Sequence, residues 1–402
     1  MERVWEPRLD ALGGRTARRG FSYGAYVPAK IAEAGFPLES DIAAAAANAE
    51  VAVRELNGRP PEPANFEVLA RQLLRAESVA SSRIEGLVLS HRRLAKAAFS
   101  ADLHDITAQS VLANIRALER AVDLAATVEG FEREHLLEIH RILLEGTRDE
   151  HLGGELRREQ NWIGGAASSP HNAEFIPPPP GLVRELVDDL CEFCNRVDLP
   201  AAIQAAIAHV QFETIHPFVD GNGRVGRALI LAVLRRRGVA QTYLPPVSLA
   251  LAGNADRYVA GMTSWRLGEE EDWYEIFAEA LFRSADGARE FGAWVLDLQR
   301  RWMEKAGHPR KGSGAQRLID LLPSQPIIDV KTAARLLGGT EERARLAILR
   351  LEKSGVLHQI TVGRRNRAWE CVGLFDLLDR FERDLGPAGR TPRLTKAPSP
   401  SR

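Results

Sequence analysis

His216-Pro217-Phe218-Val219-Asp220-Gly221-Asn222-Gly223-Arg224-Val225-Gly226-Arg227 gathers an imidazole, a carboxylate and two guanidinium groups into twelve residues. A histidine can take a proton from an attacking hydroxyl near neutral pH. One aspartate beside it can hold a magnesium ion that bridges phosphates. Gly221 and Gly223 allow a sharp turn and a close approach of backbone to ligand. If a helix starts near Asn222, its first N–H groups have no partners and point into the loop. With Arg224 and Arg227 a turn apart, they form an anion site. Base, anion hole, cationic clamp and metal ligand together suit nucleotidyl or phosphoryl transfer. The phosphate loop of P-loop NTPases is a different arrangement: its G-x-x-x-x-G-K-[ST] spacing is missing, and the residues upstream read as helix rather than strand.

Two helices must hold these groups. Ile203, Ile207 and Val210 recur at helical spacing and predict a helix over 201–215 that Pro217 ends, leaving His216 at the head of a loop. A second helix is predicted over 222–237, closing on Arg235, Arg236 and Arg237 before Gly238. Further helices are predicted over 41–56, 66–82 and 181–196, and helical spacing also links Val111, Ile115, Leu118 and Val122, then Leu136, Ile139 and Leu143. The segment 161–176 differs. It is rich in Gly, Ser and Pro, with Trp162-Ile163 at one end and Phe175-Ile176 at the other, and reads as a β-hairpin flap ended by the prolines of 177–180. Beyond a linker at 308–314, short helices over 315–322 and 330–337 precede a helix over 341–354, N-capped by Thr340 and stopped by Gly355. Strands over 357–362 and 367–372 follow, joined by Gly363-Arg364-Arg365-Asn366, giving a winged helix-turn-helix order. The fold class is therefore mainly α. The stretches are an N-terminal helical region 1–98, a helical core with trailing helices 99–306, a winged helix-turn-helix domain 315–385, and a Pro/Ser/Lys/Arg-rich tail 386–402 expected to be disordered.

The 402 residues are 45% hydrophobic and 27% charged, ordinary for a soluble globular chain of two or three domains. No apolar run nears the roughly 20 residues that span a bilayer. The first residues lack a signal-peptide pattern, so a cytoplasmic location with no membrane partner is expected. Three cysteines cannot all pair, and Cys191-x-x-Cys194 has no second Cys or His pair nearby, so buried thiols are expected rather than zinc. Charge is uneven: residues 301–402 hold 20 Lys and Arg against 11 Asp and Glu, in a chain of net charge −1. That excess suits DNA, met by Arg343, Arg345 and Arg350 on the candidate recognition helix and by Arg364, Arg365 and Arg367 on the wing. A winged helix equally serves as a protein-docking or homodimer surface, and composition does not choose between them.

The twelve residues match the HPFx[DE]GNGRxxR signature of the Fic family without a departure. The chain from about 100 to 240 resembles that family's whole core, including Leu137-Glu138-Ile139-His140-Arg141 and Arg157-Arg158-Glu159-Gln160-Asn161-Trp162-Ile163-Gly164. Tyr26-Val27-Pro28 resembles the leader of bacterial Fic proteins that end in a winged helix. The resemblance implies a protein adenylyltransferase, with ATP as donor, Mg2+ on Asp220, and His216 as general base on a Ser, Thr or Tyr hydroxyl of a target protein or of the chain itself. It implies that Gly221, Asn222, Gly223 and the helix N-terminus hold the α-phosphate, that Arg224 and Arg227 bind the β- and γ-phosphates, and that Phe218 packs into the core to fix the loop. The flap, through Trp162, Ile163, Gly164, Phe175 and Ile176, would align the target backbone by strand addition. Ser81-Ser82-Arg83-Ile84-Glu85-Gly86 fits the family's inhibitory pattern [ST]-x-x-x-E-[GN], whose fixed positions are Ser81, Glu85 and Gly86. A glutamate paired with Arg227 would remove one clamp from the γ-phosphate and put negative charge where the triphosphate must sit. Two alternatives remain: transfer of a different phosphate-linked group on the same fold, and a transcription regulator whose core senses nucleotide. Intact His216 and Asp220 favour the enzyme.

Overall fold

The computed structural model describes residues 1–5, 20–58, 66–99, 105–165, 169–362 and 366–386. The proline break at 60–63, Arg364, Arg365 and the tail beyond 386 lie outside the described residues. The chain opens with an antiparallel ribbon of β1 (Glu2–Trp5) and β2 (Phe21–Gly24). Then come α1 (Ser40–Gly58), α2 (Phe66–Ile84), α3 (His91–Phe99), α4 (Ile106–Thr127), α5 (Arg133–Leu144), α6 (Pro180–Cys194), α7 (Ala201–Ile215), α8 (Asn222–Arg236), α9 (Val247–Ala252), α10 (Ala255–Leu267) and α11 (Glu270–Lys305). The C-terminal unit follows as α12 (Gly314–Leu321), β3 (Ile327–Ile328), α13 (Val330–Leu337), α14 (Glu341–Lys353), β4 (Leu357–Val362), β5 (Asn366–Cys371) and α15 (Leu374–Leu385).

The sequence AAIQAAIAHVQFETI makes α7 apolar or small on every side, and every one of its residues is buried. A helix without a polar face belongs at the centre of a domain. Around it, α1, α4, α5, α6, α8 and the first half of α11 close one core, in which Ile207, Phe212, Leu229, Leu231 and Trp273 are fully or almost fully buried. A second core joins the later half of α11, through Phe291, Val295 and Trp302, to the C-terminal helices and the three-stranded sheet. That sheet has the order β3-β5-β4, antiparallel throughout. Leu69, Leu73, Ala76 and Ala80 of α2 belong to this second core, so the helix that leads into Glu85 is packed on the C-terminal unit. Polar contacts repeat the connection: Gln72 donates to Pro323 O, Arg75 donates to Ser324 O at 3.2 Å, and Glu382 of α15 binds both Arg83 at 2.6 Å and His91 at 2.9 Å.

Among the described residues, the segment expected as a hairpin or extended flap pairs through one antiparallel bridge, Ile163 with Phe175. Gly164 and Gly165 both take φ of 72° directly after Ile163. Ile176 O already accepts the Tyr26 N–H at 2.8 Å, so the segment before α1 occupies part of the edge expected to receive a target strand. Trp162 stands edge-on to Trp5 of β1, with ring centroids 5.8 Å apart. Cys191, Cys194 and Cys371 are free and buried; burial pushes the Cys194 thiol up to about 12, as expected for packing thiols. No described helix is long and apolar enough to cross a membrane.

Candidate active site

The loop between α7 and α8 is closed from within by Asn222. Its Oδ1 accepts the Phe218 N–H and its Nδ2 donates to Phe218 O, each at 2.8 Å. Asn222 is buried, and both ends of its amide are used in shaping the loop. Any phosphate contact at this position therefore falls to its backbone N–H. Phe218 is fully buried and stacks on His140 with ring centroids 3.7 Å apart. His140 Nδ1 accepts the Gly154 N–H at 3.0 Å, so its proton is on Nε2, 3.0 Å from Asp220 O. Burial lowers the His140 pKa to about 4, which keeps the ring neutral in this role.

His216 caps α7 in the left-handed region, with φ 49° and ψ 62°. A histidine there needs its neighbours to hold it. Arg157 supplies most of that hold: it is 3% exposed, its N–H donates to Pro217 O at 2.9 Å, and its Nε donates to His216 O at 2.9 Å. Burial, then the charge of Arg157, pushes the His216 pKa down to about 3 against the opposing pull of Glu85. The ring is therefore neutral at physiological pH, as a base must be before it accepts a proton.

The two arginines of α8 are buried where anions are expected. Arg224 donates to Ser110 Oγ at 3.1 Å and to Asp220 Oδ2 at 2.9 Å. Arg227, 1% exposed, donates from Nε to Ser81 Oγ and from Nη2 to Ser81 O, both at 2.9 Å, and from Nη2 to Glu85 Oε1 at 2.7 Å. Burial alone would raise the Glu85 carboxyl. The charge and hydrogen bond of Arg227, with Arg224 nearby, instead hold it below the usual carboxylate range. Gly223 shows where the carboxylate stands: a Cβ there would lie 1.9 Å from Glu85 Oε1. Glu85 thus covers the second residue of α8, over the free N–H groups of a helix N-terminus. Ser81 is fully buried on the last turn of α2, and Gly86 turns the chain away with φ of 80°.

The sequence-predicted residues of the loop and of Ser81 to Gly86 therefore meet at one place. The expected nucleic-acid contacts are elsewhere: Arg343 and Arg345 are exposed on α14, and Arg367, on β5, lies over Trp369 with its guanidinium carbon 5.5 Å from the ring centroid. Arg157, Asn161, His140 and Ser110 were not singled out from sequence for the parts they take here. Arg157 stands beside Arg158 in a charged run whose spacing names no partner for it; the fold brings it to carbonyls near residue 216.

Residues 130–234 match the model of the Fic/DOC family, and residues 43–123 match that of the Fic/DOC family N-terminal region. A protein adenylyltransferase Fic of Drosophila willistoni is 36% identical over 113 residues, 27% of this chain and 21% of its own length. Protein adenylyltransferase fic-1 of Caenorhabditis elegans is 32% identical over 130 residues, 32% of this chain and 23% of its own length. The chain thus spans about a fifth of the length of these curated relatives. In fold, it is similar to a Fic family protein from Desulfovibrio desulfuricans G20, with 20% identity, a TM-score of 0.52, and coverage of 84% of this chain and 98% of that one.

Proposed function

We propose that the chain, which matches the Fic/DOC family models over residues 43–123 and 130–234, is a protein adenylyltransferase of that family held inactive by Glu85. The observation that carries the reading is an imidazole at the end of α7, joined by one short loop to a helix N-terminus with two buried arginines, on the family's fold. In the reaction, His216 takes the proton of a Ser, Thr or Tyr hydroxyl as that oxygen attacks the α-phosphorus of ATP. Pyrophosphate leaves. The charge growing on the α-phosphate oxygens is met by the free N–H groups at the start of α8, while Arg224 and Arg227 hold the rest of the triphosphate. The purified Glu85→Gly protein incubated with ATP labelled at either the α- or the γ-phosphate tests this. Label retained from the α position alone supports AMP transfer; retention of the γ label would mean phosphoryl transfer, and retention of neither would leave a nucleotide sensor.

Asp220 fits a magnesium ion. Its side chain is 51% exposed beside the anion site and, among the described residues, pairs with Arg224, which the triphosphate would compete for. A magnesium ion there would take most of its shell from phosphates and water. When bound, the ion would neutralise phosphate charge. Asp220→Ala should lower transfer in magnesium to nearly the level left in EDTA, while nucleotide binding without metal changes little. Equal activity of the variant and the parent in magnesium would remove Asp220 from this role.

For the C-terminal unit, the order helix, strand, two helices and a two-stranded hairpin supports a winged-helix reading, and the exposed Arg343 and Arg345 support DNA as its partner. Each phosphate contact releases counterions, so binding should fall steeply with salt. Arg343→Ala with Arg345→Ala should flatten the slope. No mobility shift with random duplexes at low salt would instead favour protein docking. A cytoplasmic site of action is part of this proposal.

A further inference from the structure

Asn161 Nδ2 lies 2.8 Å from His216 Nδ1, 3.0 Å from Phe218 O and 3.3 Å from His216 O. Its Oδ1 is buried with no hydrogen-bond partner. The two carbonyls settle which end of the amide is which, because an oxygen in place of Nδ2 would face two backbone oxygens. His216 Nδ1 therefore accepts. A neutral imidazole carries one ring proton, so that proton is on Nε2. Asn161 also occupies Nδ1, which leaves Nε2 as the nitrogen a substrate hydroxyl can reach. An Nε2 that already bears hydrogen donates and cannot act as a base.

We propose that Asn161 is the positioning residue that sets the tautomer of His216, holding it in the idle Nε2–H form here and arming it when the amide turns to accept from Nδ1–H. The turn moves Oδ1 onto Nδ1–H and leaves the lone pair on Nε2. The turn sets Oδ1 beside the Phe218 and His216 carbonyl oxygens, so the armed form is the costlier of the two; each carbonyl still keeps a donor, Phe218 O with Asn222 Nδ2 at 2.8 Å and His216 O with Arg157 Nε at 2.9 Å. The buried Oδ1 gains a partner. In the armed form, the hydroxyl proton passes to Nε2, giving an imidazolium whose Nδ1–H remains on Asn161. The functional consequence rests on the AMP-transfer reading, whereas the tautomer does not.

The test is long-range proton–nitrogen spectroscopy of protein labelled with 15N-histidine, the His216 signals being assigned by their loss in His216→Gln. Wild type should show the Nε2–H pattern. Asn161→Asp, whose carboxylate can only accept, should show the Nδ1–H pattern, and Asn161→Ala should show a mixture of the two. In the Glu85→Gly background, Asn161→Ala should lower kcat about 10-fold or more with KM for ATP unchanged, and Asn161→Asp should recover part of that loss. A folded Asn161→Asp protein is enough to decide, should the alanine variant fold poorly. The proposal is overturned by an Nδ1–H pattern in the wild type, or by one pattern common to wild type and Asn161→Asp. Expected spectra together with no labelled product would keep the tautomer assignment and sink the AMP-transfer reading.

Discussion

Glu85→Gly should raise incorporation of label from α-labelled ATP about 100-fold, with self-modification as the simplest readout, since small misplacements at such a site cost about that much in rate. The competition is visible at one atom: Arg227 Nη2 is shared between Ser81 O and Glu85 Oε1. A guanidinium presents a planar fork and cannot fully satisfy a carboxylate and a γ-phosphate at the same edge. Glu85 also stands over Gly223, where phosphate oxygens would need the helix N–H groups. Removing the carboxylate clears both. Ser81 still holds Arg227 Nε at 2.9 Å, so the guanidinium keeps its place after the lock is gone. The substitution falls just beyond the end of α2 at Ile84, outside the helix interior where glycine would cost about 1 kcal/mol. Arg227→Ala should not imitate the release, because it removes the clamp with the lock, and the double variant should be weak. Equal labelling by wild type and Glu85→Gly would show that the Glu85–Arg227 pair has no inhibitory part.

His216→Ala, made in the Glu85→Gly background, should lower transfer by about 100- to 10,000-fold, the usual contribution of a positioned base, and leave the affinity for ATP within a few-fold. The described hydrogen bonds of His216 go to Asn161, Arg157 and the α7 backbone rather than to Arg224 or Arg227. His216→Asn is the better-matched control, because asparagine tolerates the left-handed backbone that His216 adopts. Calorimetric titration with ATP beside the labelling assay separates binding from chemistry. Near-full labelling by either variant would end the base assignment. With the His216 pKa pushed down to about 3, chiefly by burial, activity should also show no histidine-like fall near pH 6.5.

The helices that frame the site were legible because their apolar spacing is dense and their ends are marked. α7 spans the predicted 201–215 with no difference, and α8 stops one residue earlier than predicted. The residue types that line the candidate site were legible from the motif as well. What spacing could not supply was the meeting of Glu85 with Arg227, which are 142 positions apart in the chain. Arg157 was missed for a related reason: its partners are backbone oxygens, which carry no sequence signature. Asn222 was expected to hold phosphate, yet its side chain is spent on Phe218, a use that depends on how tightly the loop closes. The ribbon of β1 and β2 went unread because four-residue strands give too few alternations.

The 36-residue α11 runs for about 54 Å at 1.5 Å per residue. Its earlier apolar residues, Trp273, Phe277 and Leu281, are built into the core around α7, and its later ones, Phe291, Val295 and Trp302, into the core that also holds α2. A beam embedded in two cores makes them melt together rather than in sequence. The same α2 ends in the turn that carries Glu85, and Arg83, two residues before Glu85, is moored to Glu382 of α15. Parting Glu85 from Arg227 by displacing α2 would therefore strip its buried leucines from the C-terminal unit, a far larger cost than breaking one ion pair. The cheaper way for this chain to open is a swing of the Glu85 side chain alone, with the scaffold left standing.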